Sequence, residues 1–208
     1  TLSDYIKDSK AIRFEGDGYG DAWVKEAMSK GLNNVKTTPH ALDFYVSKPA
    51  LALFEENEVL NKIEAEARHE IMLEEYQKKI QIESRVLGDI AGNHIVPTAI
   101  AYQNTLIENV RGLKVVLEPK TFTKVAKEQL EMIEEISNRI SVIIAEKEAM
   151  VNARKDLNLM DDMGEKARGY CDKIIPFIEN IRYQCDKLEM LVDDELWPLP
   201  KYRELLFI

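Results

Sequence analysis

Residues 162–192 read DMGEKARGYCDKIIPFIENIRYQCDKLEMLV, and this segment determines the fold class. Small or apolar residues recur in it every three or four positions, at Ala167, Cys171, Ile174, Ile178, Ile181, Cys185, Leu188 and Val192. This spacing places them on one face of a helix, as in the buried seam of a coiled coil. Asp162 is a suitable N-cap with Glu165 at the third helical position, and Pro176 should bend the helix slightly. The segment predicts a long amphipathic helix that packs against another helix.

A partner for this helix precedes it in the sequence. From near Thr121, apolar residues recur every three or four positions, interrupted only at Lys147: Ile133, Ile136, Ile140, Ile143 and Met150. The connection around residues 158–160 is short, so the two helices are expected to lie antiparallel. Together they predict a helical hairpin with a shared apolar seam.

A third long helix is predicted to start at Asn61, whose side chain can form a capping box with Glu64. It runs to Val96, and Pro97 should kink it because proline removes a backbone donor. Beyond Pro97 the apolar face continues to the break at Pro119, through Ile100, Leu106, Ile107, Val110 and Leu113. The prediction is one long kinked helix.

The N-terminal part, to about Asn57, consists of short elements separated by turn residues. A short helix fits from Asp21 with Gly31 at its C′ position, and Thr38-Pro39 and Ser47 with Pro49 each predict another helix start. The predicted fold is all-α: short helices and turns in residues 1–57, then a helical bundle in residues 58–208. The apolar C-terminal segment is expected to dock on the bundle, with Trp197, Leu199, Tyr202, Leu205, Leu206 and Phe207 as its apolar residues.

Composition restricts the functional classes. The chain has 208 residues, 45% hydrophobic and 31% charged, with a formal net charge of −9. Such a charge repels nucleic acids and anionic membranes, and the apolar runs are too short to span a bilayer. No secretory signal is visible, so a cytoplasmic location is expected, and the first residue, Thr1, suggests an excised piece of a longer protein. Cys171 and Cys185 are expected to be free thiols in a reducing compartment.

Two patterns imitate known sites. The strand-like residues 12–14 followed by Gly16-Asp17-Gly18-Tyr19-Gly20 imitate a nucleotide-binding turn, but the spacing is wrong for a P-loop and a structural turn is favoured. Glu66 and His69 form an E-x-x-H pair of the kind that di-iron bundles use. Such bundles need a second pair, and neither His40 nor His94 has an acidic residue three positions earlier. A solvated helix face is therefore favoured for Glu66 and His69.

His94 is the remaining candidate. It lies just before the expected kink, where an imidazole could act chemically or bond to loosened carbonyls, and the structural role is favoured. No cysteine or carboxylate is placed to form a dyad with it. The sequence therefore assigns no catalytic, cofactor-binding or metal-binding residue.

Several motifs follow one another over nearly the whole chain. They are GDGY (16–19) leading to Trp23, KGL (30–32), KTTP (36–39) before Ala41 and Leu42, RHEIMLEEY (68–76), IVPTAIAYQ (95–103) and WPLPKY (197–202). In this order they resemble the C-terminal region of type III glutamine synthetases. The agreement of many motifs in one order is far more specific than any one of them.

The resemblance implies an ATP-dependent ligase that joins glutamate to ammonia through a γ-glutamyl phosphate, with divalent metal ions such as Mg²⁺, in large double-ring assemblies. The family's metal-binding glutamates and phosphate-binding arginines lie upstream, and none maps onto this chain. Residues 1–57 would be the tail of the catalytic domain, and the bundle an inactive extension that contacts that domain and other subunits of a homo-oligomer. An autonomous helical interaction module and a metal-binding bundle are the alternatives.

Overall fold

The computed structural model describes residues 1–10, 13, 14, 16–201 and 204–206, and these residues form helices and turns without strands. The N-terminal part contains α1 (Leu2–Asp8), α2 (Asp21–Ser29), α3 (Thr38–Leu42) and α4 (Lys48–Glu56), with a 3₁₀ turn at Asp43–Val46. The bundle contains α5 (Lys62–Ile90), α6 (Val96–Val116), α7 (Pro119–Val125), α8 (Lys127–Asn158), α9 (Met163–Gly169) and α10 (Ile175–Leu191). The all-α prediction is confirmed. Within these ranges, no helix is both long and apolar enough to cross a membrane.

Helices α5 and α6 form one continuous helix of 55 residues, joined by a π turn at Ala91–Ile95. The backbone N–H of Val96 donates to the Ala91 carbonyl, five residues back. Pro97 follows directly, so the irregularity that this proline predicts takes the form of a π turn, a common cause of local helix distortion. Asn61 and Glu64 form the expected capping box, with bonds of 2.9 and 2.8 Å.

The hairpin consists of α8 packed against α9 and α10. A second π turn, Tyr170–Ile174, joins α9 to α10 and again precedes a proline, Pro176. The predicted seam is confirmed: Ile178 is half-buried, and the other seam residues are buried, namely Ala167, Cys171, Ile174, Ile181, Cys185, Leu188 and Val192. Asp162 caps α9 by accepting a bond of 2.7 Å from the Glu165 N–H.

The bundle differs from the predicted helices in two ways, one in a buried face and one in a helix boundary. Ile100 and Ile107 were expected on the buried face of α6 but are exposed, because the packed face of that helix is the one with Ala99 and Val110. The helix expected from near Thr121 is divided into α7 and α8 by a break at Ala126. On α8, Ile136, Ile140, Ile143 and Met150 are buried, as predicted.

The short N-terminal helices follow their capping signals with one shift. Gly31 has a φ of +82° at the C′ position of α2, and Ser47 caps α4 by accepting from the Ala50 N–H. The N-cap of α3 is Thr37 rather than Thr38, which places Pro39 at the second helical position, where it also lacks a helical acceptor to lose. Helices α3 and α4 and the 3₁₀ turn contact α5. The division at Asn57 stays a prediction.

The C-terminal segment docks only in part. Trp197 is buried in the core, and the Lys201 ammonium donates to the carbonyls of Glu189 and Val192 at 2.8 and 3.3 Å, at the end of α10. A cation in this position suits the negative end of the helix dipole. Leu199, Leu205 and Leu206 are exposed; Tyr202 and Phe207 lie outside the described residues, so docking of the whole segment stays a prediction.

Candidate functional site

The glycine run before α2 forms a turn that uses its own amides. The Tyr19 N–H donates to the Asp17 carboxylate at 2.9 Å, and the Gly20 N–H donates to the Asp17 carbonyl at 3.3 Å. A phosphate-binding loop needs such amides to point at the ligand. These residues therefore do not fit a phosphate group. Ile12, part of the strand-like segment, lies outside the described residues.

The E-x-x-H pair does not converge on one point. Glu66 lies 3.6 Å from the Lys62 ammonium, whereas the His69 Nε2 atom lies 3.4 Å from an Asp43 oxygen. That histidine nitrogen is buried and makes no hydrogen bond, so the Asp43 contact has ion-pair distance without hydrogen-bond geometry. Arg168 donates to both Asp43 oxygens at 3.1 Å. Asp43 therefore lies between a guanidinium and an imidazole and connects the 3₁₀ turn to both α5 and α9.

A polar pocket of about 420 Å³ lies beside this ion cluster. Its acidic lining consists of Asp43, Glu66, Glu70 and Asp162. Only Arg168 contributes a permanent positive charge, and Asp43 already neutralises it. The pocket is thus suited to water or a small cation more than to an anionic nucleotide.

A second cluster lies at the same junction, between α3 and the π turn before α10. One ring nitrogen of His40, the Cys171 Sγ atom and one carboxylate oxygen of Asp172 all lie within 4.8 Å of one another. His40 Nε2 is 3.9 Å from the Asp172 oxygen. Among the described residues, this is the one group of three or more such side chains compact enough to bind a metal ion.

Within the bundle, shifted pKa values are found at Tyr76, Cys185 and Arg154. Burial raises the pKa of Tyr76, and the neighbouring Cys171 raises it further. Burial raises the pKa of Cys185 to about 12. Burial also lowers the pKa of Arg154, with the nearby Arg85 charge as the next cause. These shifts mark the seam of the bundle as desolvated and do not identify a nucleophile, because a thiol with a raised pKa is inert.

His94 is exposed on the first π turn and does not contribute to either cluster. The sequence-predicted candidates are therefore kept apart: the glycine run precedes α2, Glu66 and His69 lie on α5, and His94 lies beyond its end.

Large apolar side chains are exposed throughout the N-terminal part. Helix α1 has no buried residue, and Leu2, Tyr5 and Ile6 form an apolar face on it. Further exposed apolar residues in this part are Phe14, Tyr19, Met28, Leu32, Val35, Phe44 and Leu53. Single exposed apolar residues are ordinary, but a helix that exposes three of them on one face and buries none indicates a contact surface.

The sequence profile of the glutamine synthetase C-terminal domain matches residues 1–114. The chain belongs to this family. It is 45% identical over 99% of its length to a glutamine synthetase of Bacteroides fragilis (strain YCH46) and 30% identical over its whole length to a type-3 glutamine synthetase of Dictyostelium discoideum. A glutamine synthetase of Butyrivibrio fibrisolvens is 25% identical over 99% of the chain. The chain spans 28–29% of the length of these relatives.

The extent of the glutamine synthetase C-terminal domain match can be placed on the fold. Residues 1–114 run from α1 almost to the end of α6, so α8 and α10 lie beyond the profile, although the relatives align with them. The first half of this region contains the short helices, and the second half contains the long helix that supports α3 and α4.

Sequence reasoning missed the residues that the junction brings together. Asp43 and Arg168, and likewise His40 and Cys171, are far apart in the chain, and no local spacing connects them. The available signals were a polar residue directly after a short helix, at Asp43, and an arginine in the last turn of α9. Neither signal is specific enough to identify a pair.

Proposed function

We propose that this chain is the C-terminal region of a glutamine synthetase, an ATP-dependent glutamate–ammonia ligase, and that it serves assembly rather than catalysis. The observation that supports this role is the apolar N-terminal surface, by which we mean the exposed face of α1 formed by Leu2, Tyr5 and Ile6. Within the described residues of the chain, no element buries this surface. The rest of the same polypeptide, the catalytic domain, is the occupant that the family membership favours. The bundle would then contact other subunits of a homo-oligomer.

The geometry supports a connecting role for α3 and α4. They follow α1 and α2 in sequence and are fixed to the bundle through the Asp43–Arg168 ion pair and contacts with α5. A domain packed on α1 and α2 would therefore be coupled to the long helix. In this arrangement the chain would hold the catalytic domain in a fixed place relative to the long helix. It would not bind phosphate at the glycine run, because the Tyr19 amide there already donates to Asp17.

Magnesium and ATP would belong to the catalytic domain of the whole enzyme. They would supply the phosphorylation that activates glutamate toward ammonia. The glycine run is occupied by its own hydrogen bonds, and the acid-lined pocket at the junction repels nucleotide phosphates. The residues of this chain therefore do not fit MgATP, and no step of the reaction is assigned to them.

The test is made on the full-length protein. We replace Leu2 and Tyr5 together by serine and measure both glutamine formation and assembly size by light scattering. Because both side chains are exposed in the chain itself, the double variant should leave the melting temperature of the separate 208-residue chain unchanged. In the full-length enzyme it should weaken assembly or activity, since the apolar contact with the catalytic domain is lost.

The matched control is Leu159→Ser, an exposed leucine at the tip of the hairpin. It should leave assembly size and activity at wild-type values. If the Leu2→Ser/Tyr5→Ser protein also matches wild type in both assays, the α1 surface has no assembly role. If wild-type full-length protein forms no glutamine, the proposed ligase activity is wrong.

A further inference from the structure

We propose that His40, Cys171 and Asp172 form a zinc site that fastens α3 to the start of α10. The three candidate ligand atoms lie within 4.8 Å of one another, and two of them, on His40 and Asp172, are 3.9 Å apart. In tetrahedral coordination with Zn–ligand bonds of about 2.0–2.3 Å, pairs of ligand atoms lie roughly 3.3–3.8 Å apart. Closure by a few tenths of an ångström to about one ångström completes that geometry, within the reach of side-chain rotation.

The ligand set selects the metal. One thiolate, one imidazole and one carboxylate combine a soft, a borderline and a hard donor, a mixture that suits Zn²⁺ and disfavours Mg²⁺ or Ca²⁺. The proposal is therefore distinct from any magnesium ion of the catalytic domain. It also goes beyond the assembly role, because it concerns a binding activity of this chain alone.

One of the ligands is held by a neighbouring group, as is usual around bound metals. Thr37 Oγ1 lies 3.0 Å from His40 Nδ1, and a hydrogen bond from Nδ1–H to this oxygen leaves the Nε2 lone pair directed at Asp172. This partner distinguishes the cluster from three side chains that are adjacent by chance.

The second π turn explains how two adjacent residues can both reach one ion. Cys171 and Asp172 lie within Tyr170–Ile174, where the wider helical turn rotates successive side chains by a smaller angle than an α-helix does. Cys171 is buried and Asp172 is exposed, so the ion would bind at the boundary with solvent. The fourth coordination position faces water, as in zinc sites with three protein ligands.

A plain surface ion pair is the competing explanation. The pair between His40 and Asp172 is long and more than two-fifths exposed on both sides, so by itself it stabilises little. It also makes no use of the Cys171 thiol, which the seam places beside both groups. A metal ion would engage all three side chains at once.

The test uses the reduced, metal-stripped 208-residue chain. Titration with Co²⁺ reports the site, because thiolate coordination gives a sulfur-to-cobalt charge-transfer band and tetrahedral geometry gives intense visible bands. We expect one equivalent of Co²⁺ to bind and one equivalent of Zn²⁺ to displace it. Zn²⁺ should raise the melting temperature, since an ion that binds the folded state stabilises it.

Matched cysteine variants assign the band. Cys171→Ser should abolish the charge-transfer band, whereas Cys185→Ser should retain it, because both thiols are buried but only Cys171 lies beside His40. Absence of a stoichiometric band in the wild type, or an unchanged band in Cys171→Ser, would overturn the proposal.

Two further variants separate binding from folding. His40→Gln affects a side chain that is about two-fifths exposed, so the far-UV circular dichroism and metal-free melting temperature should stay at wild-type values. Its zinc affinity should fall by at least tenfold. Thr37→Val should lower zinc affinity by about 10-fold through loss of orientation alone. Wild-type zinc affinity in His40→Gln would exclude the site even if the cysteine variants fail to fold.

Discussion

Helix α1 and helix α10 both have apolar residues at helical spacing, but only α10 buries them. On α10, Ile181, Cys185 and Leu188 pack against α8, whereas Leu2, Tyr5 and Ile6 on α1 remain in contact with solvent. The same pattern of sequence thus gives an internal seam in one region and an open surface in the other. Periodicity predicts that a face will be covered, and it does not tell whether the covering element belongs to the same chain.

The largest expected effect tests the buried side of this comparison. Ile181→Ala removes a fully buried side chain from the α8–α10 seam and should lower the free energy of unfolding by about 2–5 kcal/mol. Leu2→Ala, at an exposed position of α1, should change it by less than about 0.5 kcal/mol. Urea denaturation of the 208-residue chain measures both. Equal losses in the two variants would mean that α1 is packed in solution.

A smaller effect is expected from adding one methyl group to the same seam. A Cβ atom on Gly169 would lie 2.3 Å from Cδ2 of Leu157, a fully buried side chain. Gly169→Ala should therefore lower the free energy of unfolding by about 1–3 kcal/mol through overpacking. Gly112→Ala on α6 has open space around it and should be neutral or stabilising. A neutral Gly169→Ala in thermal melts would show that Leu157 can relax.

The start of the hairpin's second arm should contribute less again. Asp162→Ala removes the N-cap of α9 and should cost about 1 kcal/mol, because one amide at the helix start loses its acceptor. Asp161→Ala, one residue earlier and exposed, serves as the control and should stay near wild type. Thermal denaturation of both variants makes the comparison. A loss shared by both would point to a general effect of charge.

The smallest effect concerns pH. Because burial raises the pKa of Cys185 to about 12, this thiol stays protonated in the folded chain while the unfolded thiol ionises near about 8.5. The unfolded state then binds fewer protons, so stability should fall as pH rises from about 8.5 towards 12. Urea midpoints at pH 7.5 and pH 8.5 should show a smaller decrease in Cys185→Ala than in wild type. An identical decrease would place that thiol in contact with solvent.

The parts of the fold that sequence predicts are those in which one helix face meets another nearby in the chain. The seam from Ala167 to Val192 and the cap at Asn61 follow from local spacing and hydrogen-bonding chemistry. Ile100 and Ile107 were assigned to the wrong face, since spacing alone does not select which of two apolar stripes is covered.

The junction was beyond sequence reasoning for a different physical reason. Asp43 meets Arg168, and His40 meets Cys171, only after the chain has turned back through α8. Two buried polar residues of α5, Gln77 and Ser84, were also missed; Ser84 donates to the Gln81 carbonyl within its own helix, so an apolar pattern does not reveal it. Pro97 and Pro176 marked both π turns without specifying their form.

Each of the two π turns determines how the helix that follows it is rotated about its axis. Each contains one residue more than a regular α-turn would need, so deletion of a residue within Ala91–Ile95 could preserve an unbroken helix. Five residues of a π turn and four residues of a regular α-helix rotate the chain by nearly the same angle, so α6 would keep its orientation relative to α5. Ala99 and Val110 would then stay in the core. An equal deletion within the regular part of α6 would instead turn the residues after it by about 100°, so Ala91–Ile95 is the place where this helix tolerates a change of length.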